Sequence, residues 1–223
     1  MTTTSPAASH AVLAEACAAA GFDAAHAEPL RIAENEIWRL PGQVIVRIAR
    51  AGQWKAAVRE VRVARWLAEH AVPAVQALPV EQPVQAAGRP VTFWAELPEH
   101  KNGTVQDVVT LLKQLHPLPV PDFPLDRLDP FVRVAERIEA ATSLSEDDRH
   151  WLRQRHAELR EQWTHRPTGM RECVVHGDAW VGNVAHSCRA VADGLRAGLR
   201  RPARMGSRLD GGQADNDRCR HRR

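Results

Sequence analysis

Residues 173–183 read Cys-Val-Val-His-Gly-Asp-Ala-Trp-Val-Gly-Asn, a short apolar stretch that runs into the pattern His-x-Asp-x-x-x-x-Asn. These groups suit the transfer of a phosphoryl group to a hydroxyl. Asp178 can accept a hydrogen bond from an attacking hydroxyl and align it, as a catalytic base does. Asn183 offers a neutral oxygen to Mg²⁺, which prefers oxygen ligands. His176 is better placed to brace the loop than to react. The pattern predicts a catalytic loop at the end of a buried strand.

Two other interpretations of this pattern have to be weighed. Three fixed residues at this spacing can arise by chance, although the apolar strand before them and Gly177 between them argue against it. A metal site built from His176 and Asp178 is the other possibility. It lacks a further ligand at a convincing spacing.

The elements that must position this loop follow from hydrophobic periodicity and turn residues. The N-terminal part is predicted to be rich in strands, with a Pro41-Gly42 hairpin turn and two helices. The later part is predicted to be mostly helical, with Thr104 and Ser145 as helix caps and a proline-rich connection between the helices. The predicted strands are Glu36–Leu40, Gln43–Ile48 and Val91–Leu97, and the predicted helices are Ser9–Ala20, Gln53–His70, Thr104–His116, Pro130–Ala141 and Ser145–Trp163.

The loop and its surroundings resemble the aminoglycoside phosphotransferase and choline-kinase-like small-molecule kinases, over roughly residues 30–187. The catalytic loop of that family reads His-Gly-Asp-x-x-x-x-Asn. The resemblance implies an α+β, protein-kinase-like fold with two lobes, a small β-rich lobe and a mostly helical one. It also implies ATP and Mg²⁺ as cofactors and a small-molecule hydroxyl as acceptor. In this resemblance Asp178 matches the catalytic aspartate and Asn183 the metal-binding asparagine.

The same resemblance implies a nucleotide site in the N-terminal lobe. Arg47 lies where the family has a basic strand residue, and Glu60 lies where the family has its partner on the next helix. The end of the strand at Glu96 and Leu97 resembles the hinge that contacts adenine. Arg47 could instead be an ordinary solvent-facing residue, and Glu60 a solvated one. Arg in place of the usual Lys is a departure, and so is the absence of glycine from residues 33–36, where the family covers phosphates.

Composition sets limits on the class of protein. The chain has 223 residues and a net charge of +3, but residues 188–223 carry +6 and the rest carries −3. The basic character therefore belongs to the tail, which has no lysine and no interleaved aromatic residue, so nucleic-acid binding is not expected. We also expect no membrane span and no signal peptide, because no long apolar run is present. A cytoplasmic protein is the expectation.

The sequence departs from the family after Asn183. A second metal-binding aspartate is expected on a strand, yet Asp193 is the only acidic residue nearby and it precedes a glycine. Reading codons for residues 192–208 one nucleotide later permits Leu-Thr-Asp-Phe-Glu-Arg-Val-Ser-Val-Gly-Pro-Pro-Glu-Trp-Asp-Leu-Asp, in which Met205 followed by Gly206 forces the Trp. That run resembles the missing segment of the family. We hypothesise that roughly the last 35 residues are a frameshifted reading.

These observations predict three regions. Residues 1–97 form a nucleotide-binding lobe, residues 98–187 form a helical lobe that carries the catalytic loop, and residues 188–223 form an Arg-rich tail that is disordered or frameshifted. The helical lobe is expected to be incomplete. Without the second acidic ligand, charge neutralisation would be poor and activity impaired. The alternative is a pseudokinase, a protein that binds nucleotide without turnover.

Overall fold

The computed structural model describes residues 6–33, 35–167, 169, 172–186, 190–192 and 199–202. Helices and strands divide between a β-rich N-terminal part and a more helical second part. The helices are α1 (Pro6–Ala20), α2 (Trp54–Glu69), α3 (Val105–Leu115), α4 (Val134–Ala140) and α5 (Glu146–Thr164). The strands are β1 (Glu28–Arg31), β2 (Glu36–Leu40), β3 (Val44–Ile48), β4 (Val84–Ala86), β5 (Arg89–Ala95), β6 (Lys101–Asn102), β7 (Asp126–Arg127), β8 (Glu172–Val175), β9 (Val184–His186), β10 (Ala190–Ala192) and β11 (Leu199–Pro202).

The first part is an antiparallel five-stranded sheet in the order β1-β2-β3-β5-β4, with α1 on one face. Alternate residues of β2 and β3 are buried, as expected for strands with one covered face. The covered face packs on α1 through apolar side chains, including Trp38, Val46, Ile48 and Phe93 against Leu13. The opposite face, which carries Ile37, Arg39, Ile45 and Arg47, is left to line a cleft.

Helix α2 links this sheet to the second part of the molecule. Val63, Trp66 and Leu67 of α2 share a core with Leu115 of α3 and Val174 of β8. Burial of several large apolar side chains on one helix stabilises such an arrangement by several kcal/mol, at roughly 1.5–3 kcal/mol for each side chain. The second part therefore packs directly against the helix that follows β3.

The predicted caps of α3 and α5 are present. The Thr104 hydroxyl accepts a hydrogen bond from the backbone N–H of Asp107, and the Asp107 carboxylate accepts one from the backbone N–H of Thr104. This reciprocal pair is a capping box. Ser145 caps α5 through one such bond, because its hydroxyl accepts a hydrogen bond from the backbone N–H of Asp148. Both helices consequently begin at the residue that the sequence indicates.

Several predicted boundaries were wrong by about two to four residues, including the start of α1, which is Pro6 rather than Ser9. The strand predicted at Val91–Leu97 is β5, which spans Arg89–Ala95, and the backbone N–H of Glu96 extends its pairing with the β3 side by one more bond, to the carbonyl of Gln43. Helix α4 begins at Val134 rather than at Pro130. Of the predicted tail, the structure describes β10, which pairs with β9, and β11, which pairs with β7 and β8. The rest of that prediction lies outside the described residues.

In the part of the chain that the structure describes, no helix combines the length and the apolar character needed to cross a membrane. Cys17 and Cys173 are both buried, and Cys17 is a free thiol. Burial raises the pKa of the Cys17 thiol to about 11, so this thiol is held protonated and unreactive near neutral pH.

Candidate active site

The catalytic loop begins where β8 ends. Gly177 adopts a backbone φ of +81°, a region that side chains with a Cβ rarely enter, so the turn between His176 and Asp178 requires glycine. A short 3₁₀ helix, Val181–Asn183, follows and leads directly into β9. The loop thus reverses the chain between two strands and holds Asp178 and Asn183 on the same side.

Asp178 and Asn183 contact each other. The side-chain nitrogen of Asn183 donates to the backbone carbonyl of Asp178 at 2.9 Å and to its carboxylate Oδ2 at 3.2 Å. Because the amide nitrogen makes these bonds, the amide oxygen of Asn183 is left to bind a cation. The aspartate is exposed and the asparagine is half-buried. The two side chains form a small oxygen-rich site that is open to the surrounding solvent.

His176 is buried and braces the loop. Its Nδ1 accepts a hydrogen bond from the backbone N–H of Asp178 at 3.3 Å. Burial lowers the pKa of His176 below its ordinary value, with the nearby Asp178 carboxylate opposing this effect. The neutral imidazole is the form that can accept this hydrogen bond, so burial and hydrogen bonding favour the same protonation state.

A neighbouring segment supports the loop from the outside. The backbone N–H of Gly103 donates to the carbonyls of Val181 and Val184, and β6 pairs with β9. A Cβ on Gly103 would lie only 2.6 Å from Cγ1 of Val184, so this close approach excludes any larger residue. Within the loop, Gly182 is similarly covered by the indole ring of Trp180. Glycine at both positions allows the tight packing that fixes Asn183.

A cleft of about 1000 Å³ lies between the free face of the five-stranded sheet and this loop. It is the space in which all but one of the residues predicted from the sequence come together: Arg47, Glu60, Glu96, Leu97, Asp178 and Asn183 line it. The remaining residue, His176, lies behind the loop. The cleft is large enough for a nucleotide, since ligand pockets of this kind span roughly 300–1,000 Å³.

Arg47 and Glu60 form an ion pair on the upper wall of the cleft. Nη1 of Arg47 lies 2.6 Å from Oε2 of Glu60, and both side chains are largely buried. Arg47 comes from β3 and Glu60 from the second turn of α2, so the pair connects the sheet to the helix. A cation fixed in this way presents its remaining donors to the cleft, which suits the binding of phosphate oxygens.

The opposite end of the cleft is formed by the segment after β5. Trp94, Glu96 and Leu97 line it, and Glu96 is held by Arg39 of β2, whose Nη2 lies 2.7 Å from Oε1 of Glu96. Arg39 also reaches Glu28 of β1 at 3.5 Å. This end combines an aromatic ring and apolar side chains with the polar backbone of an extended segment, a surface that suits a flat heterocycle.

Sequence reasoning missed several residues that line the cleft: Leu30, Arg31, Asn35, Ile37, Arg39, Ile45, Trp94 and His100. Most of them belong to β1, β2 and β3. Arg39 in β2 and Arg47 in β3 were the signal available in the sequence, because a charged residue inside an otherwise apolar strand indicates the face that is not packed in the core. Strand β1 gave no such signal, since all four of its residues are exposed.

Within the described residues, no group of three or more His, Cys, Asp or Glu side chains is arranged to hold a metal ion. The oxygen atoms of Asp178 and Asn183 do fit the ligand preference of Mg²⁺. Asp193, the acidic residue weighed as a further metal ligand, lies outside the described residues.

Comparisons with known proteins agree on the fold. Aminoglycoside phosphotransferase APH(3'')-Id from Streptomyces rimosus, also solved with ADP and streptomycin, is 18% identical with a TM-score of 0.61, and the match covers 87% of this chain and 77% of that one. APH(2")-IIa, solved as a ternary complex with streptomycin and ATP, is 15% identical with a TM-score of 0.55 over 89% and 74% of the chains. A putative fructosamine-3-kinase from Haemophilus somnus is 19% identical with a TM-score of 0.54 over 83% and 70%.

These similarities confirm the predicted α+β, protein-kinase-like fold with two lobes. A search of curated protein sequences gave no match. The model of the phosphotransferase enzyme family (APH) matches residues 26–199, which include the five-stranded sheet, the cleft and the catalytic loop. Since this match spans most of the chain, the protein belongs to the phosphotransferase enzyme family.

Proposed function

We propose that the protein transfers the γ-phosphoryl group of ATP to a hydroxyl of a small molecule. The observation that carries this proposal is the shared cleft. Asp178 and Asn183 line the same cavity as the Arg47–Glu60 ion pair and the segment at Glu96 and Leu97. One cavity therefore brings together the groups that grip a donor phosphate, position an acceptor and bind a heterocycle.

The nucleotide would lie under the sheet. In this arrangement residues 1–97 are the nucleotide-binding lobe, and residues 98–187 carry the catalytic loop. The base would sit against Trp94 and the backbone of Glu96 and Leu97, and the phosphates would extend toward Arg47. Glu60 orients the guanidinium of Arg47 at 2.6 Å, so the cation is in position before the nucleotide arrives.

Asp178 would act on the acceptor. Its carboxylate accepts a hydrogen bond from the acceptor hydroxyl and takes the proton as the hydroxyl oxygen bonds to the γ-phosphorus. The bond between that phosphorus and the bridging oxygen breaks, and ADP leaves with the electron pair. The amide oxygen of Asn183 would help to hold Mg²⁺, which supplies charge neutralisation when bound. His176 keeps the backbone of Asp178 in place through its 3.3 Å hydrogen bond.

The ligands of the structural neighbours support this choice of donor and acceptor. The Streptomyces rimosus enzyme binds ADP and streptomycin, and APH(2")-IIa binds streptomycin and ATP. We therefore propose a nucleoside triphosphate as donor and a small polyhydroxylated or amino-alcohol molecule as acceptor, in a cytoplasmic setting. Neither a nucleic acid nor a membrane has a role in this proposal.

A direct assay tests the proposal. Purified protein with Mg²⁺ and ATP or GTP would be incubated with a panel containing streptomycin, kanamycin, spectinomycin, choline, ethanolamine and a fructosamine. Slow ADP release and a phosphate mass gain on one acceptor are expected, because the second acidic metal ligand expected from the family is missing from the sequence, and both should be lost in Asp178→Asn. An acceptor that is phosphorylated equally well by Asp178→Asn would contradict the assignment of this residue. Lack of nucleotide binding would reject the proposal as a whole.

A second candidate function is nucleotide binding without turnover. It is favoured by one observation: the described residues contain no cluster of three or more acidic or histidine side chains that could hold a metal. Reading the nucleotide sequence across codons 184–223 separates the two candidates. If a shifted frame encodes the Asp-Phe-Glu and Gly-Pro-Pro-Glu-Trp-Asp-Leu runs, the repaired chain should gain activity. If no frame does, binding of ATP without ADP formation is expected.

A further inference from the structure

The loop that would cover the phosphates lacks the residue type that usually contacts them. Between β1 and β2 the chain reads Ile32-Ala33-Glu34-Asn35, without glycine. A backbone cradle for phosphates depends on glycine, because only glycine allows the close approach of consecutive N–H groups. A side chain in this region can take over that contact if it carries a positive charge and faces the cleft.

The register of the sheet shows which side chain is available. Arg31 of β1 lies opposite Ile37 of β2, and Ile37 lies opposite Arg47 of β3. Paired residues on neighbouring strands project from the same face, and all three of these residues line the cleft. With strands about 4.8 Å apart, the backbones of Arg31 and Arg47 are separated by about 10 Å. Two long side chains on that spacing can reach one triphosphate.

The neighbouring row of the sheet serves the other end of the cleft. Glu28, Arg39, Ile45 and Trp94 are paired in register across β1, β2, β3 and β5. Arg39 of this row is bound to Glu96, next to the segment that suits a heterocycle. Arg31, Ile37 and Arg47 form the other row, which lies at the end of the cleft where the proposed function places the phosphates. We call it the phosphate row.

The other charged side chains at this end of the cleft do not add up to a net positive charge without Arg31. Arg47 is paired with Glu60, and Asp178 adds a second carboxylate to this end of the cleft. Without Arg31, the ionised side chains named here would carry a net negative charge, which repels a triphosphate. Among the residues that the structure describes, Arg31 has no ion-pair partner, in contrast to Arg39 and Arg47. Its guanidinium is thus available to a ligand.

We infer that Arg31 is a phosphate-binding residue whose side chain takes over the task of a glycine-rich loop. This inference rests on the proposed nucleotide-binding function of the same cleft. Arg31 would contact the terminal phosphates from the side opposite Arg47, so that the polyphosphate lies between two guanidinium groups. The planar fork of arginine can make two hydrogen bonds to phosphate oxygens.

Calorimetric titration of the full chain with ATP, ADP and adenosine, each with Mg²⁺, tests the inference. In Arg31→Ala the affinity for ATP should fall about 10- to 100-fold, the loss expected for a charge-assisted hydrogen bond, and the affinity for adenosine should stay unchanged. Arg31→Lys should recover most of the ATP affinity. Arg155→Ala, which removes an exposed arginine paired with Glu158 on α5, is the matched control and should bind like the wild type.

Two results would overturn the inference while leaving the proposed function intact. One is an Arg31→Ala variant that binds ATP as tightly as the wild type. The other is a variant that loses ATP and adenosine affinity by the same factor, which indicates damage to the cleft rather than a lost phosphate contact. A wild-type chain that binds none of the three ligands rejects the proposed function, and the role of Arg31 with it.

Discussion

The guanidinium of Arg47 lies 2.6 Å from the carboxylate of Glu60, and this pair joins a strand of the sheet to the helix that follows it. The side chain of Arg47 is 26% exposed and that of Glu60 is 15% exposed. An ion pair that is this much buried is coupled more strongly than a surface pair, because water screens it less. The position of the Arg47 cation therefore depends on Glu60.

Replacing Arg47 should weaken ATP binding more than replacing Glu60 does. Arg47→Met removes the proposed phosphate contact itself, so we expect the KM for ATP to rise about 10- to 100-fold. Glu60→Gln keeps Arg47 but loosens its orientation, and a smaller rise is expected. A double-mutant cycle on the ATP dissociation constant should give a coupling of about 0.5–3 kcal/mol. Strictly additive effects would show that Glu60 does not position Arg47.

Replacing Asp178 should slow phosphoryl transfer and leave the affinity for ATP nearly unchanged. Asp178→Asn keeps the size of the side chain and removes its basicity, so kcat should fall about 10²- to 10⁴-fold while the affinity for ATP changes little. Single-turnover kinetics and calorimetry would measure the two effects. Asp122→Asn, an exposed aspartate that does not line the cleft, provides the control. If Asp178→Asn weakens ATP binding as strongly as it slows turnover, a role in binding replaces the role as base.

Acidification should destabilise the fold through His176. The folded-state pKa of this histidine lies below the ordinary value of about 6.5, because burial disfavours the charged imidazolium. The unfolded chain then binds more protons, so the free energy of unfolding is highest above pH 6.5 and falls as the pH drops toward the folded-state pKa.

Denaturant unfolding of the wild type between pH 7.5 and 5.5, compared with His176→Gln, measures this contribution. The variant should lose part of the pH dependence. His150→Gln, which replaces an exposed histidine on α5, should retain all of it. Equal slopes for the wild type and His176→Gln would exclude a buried neutral His176 as the origin.

Gly103 should tolerate no side chain. A Cβ at this position would lie 2.6 Å from Cγ1 of Val184, directly after the catalytic loop. Gly103→Ala should cost about 1–3 kcal/mol in the free energy of unfolding, as overpacking generally does, and should lower activity because Asn183 shifts. Thermal unfolding and steady-state kinetics measure both effects. Asn102→Ala, at the exposed neighbouring position, is expected to have little effect, and a Gly103→Ala variant with an unchanged Tm would refute the close approach.

The buried ion pair of Glu36 and Arg89 should be important for the stability of the sheet. Nη1 of Arg89 lies 2.5 Å from Oε1 of Glu36, which is only 2% exposed, and Arg89 also donates to the carbonyls of Ile48 and Ala49. Arg89→Met leaves a buried carboxylate without its cation, so a loss of about 3–5 kcal/mol is expected. Adding Glu36→Gln should restore part of that loss. Chemical denaturation of both variants would show it.

The sequence was sufficient to predict those parts of the fold that depend on local interactions. Thr104 and Ser145 were identified as caps because their side chains bond to backbone groups three residues away, and such bonds need no tertiary contact. The hairpin turn at Gly42 is also a local feature, because it needs only a residue that readily adopts a positive φ. The family was predicted from the loop at His176 and is confirmed by the family match.

The parts that escaped prediction depend on distant pairing. Strand β1 is exposed at all four residues and contains Pro29, so neither apolar alternation nor composition indicates a strand. This strand forms because its backbone pairs with β2 at the edge of the sheet. Arg31 was therefore not recognised as a residue of the cleft, although it lies two strands from Arg47. The importance of Gly103 is also invisible in the sequence, since it depends on a carbonyl and a side chain about 80 residues away.

Helix α2 holds Glu60, and with it one wall of the cleft, in a fixed position. Glu60 lies about 9 Å along the helix from Trp66, which is buried in the core that α2 shares with α3 and β8. A swing of α2 that separated Glu60 from Arg47 would have to expose that core to water. We therefore expect α2 to keep its position when ligands bind in the cleft. Instead, any ligand that tightens the Arg47–Glu60 contact should slow hydrogen exchange in the helical lobe, because both lobes share the same helix.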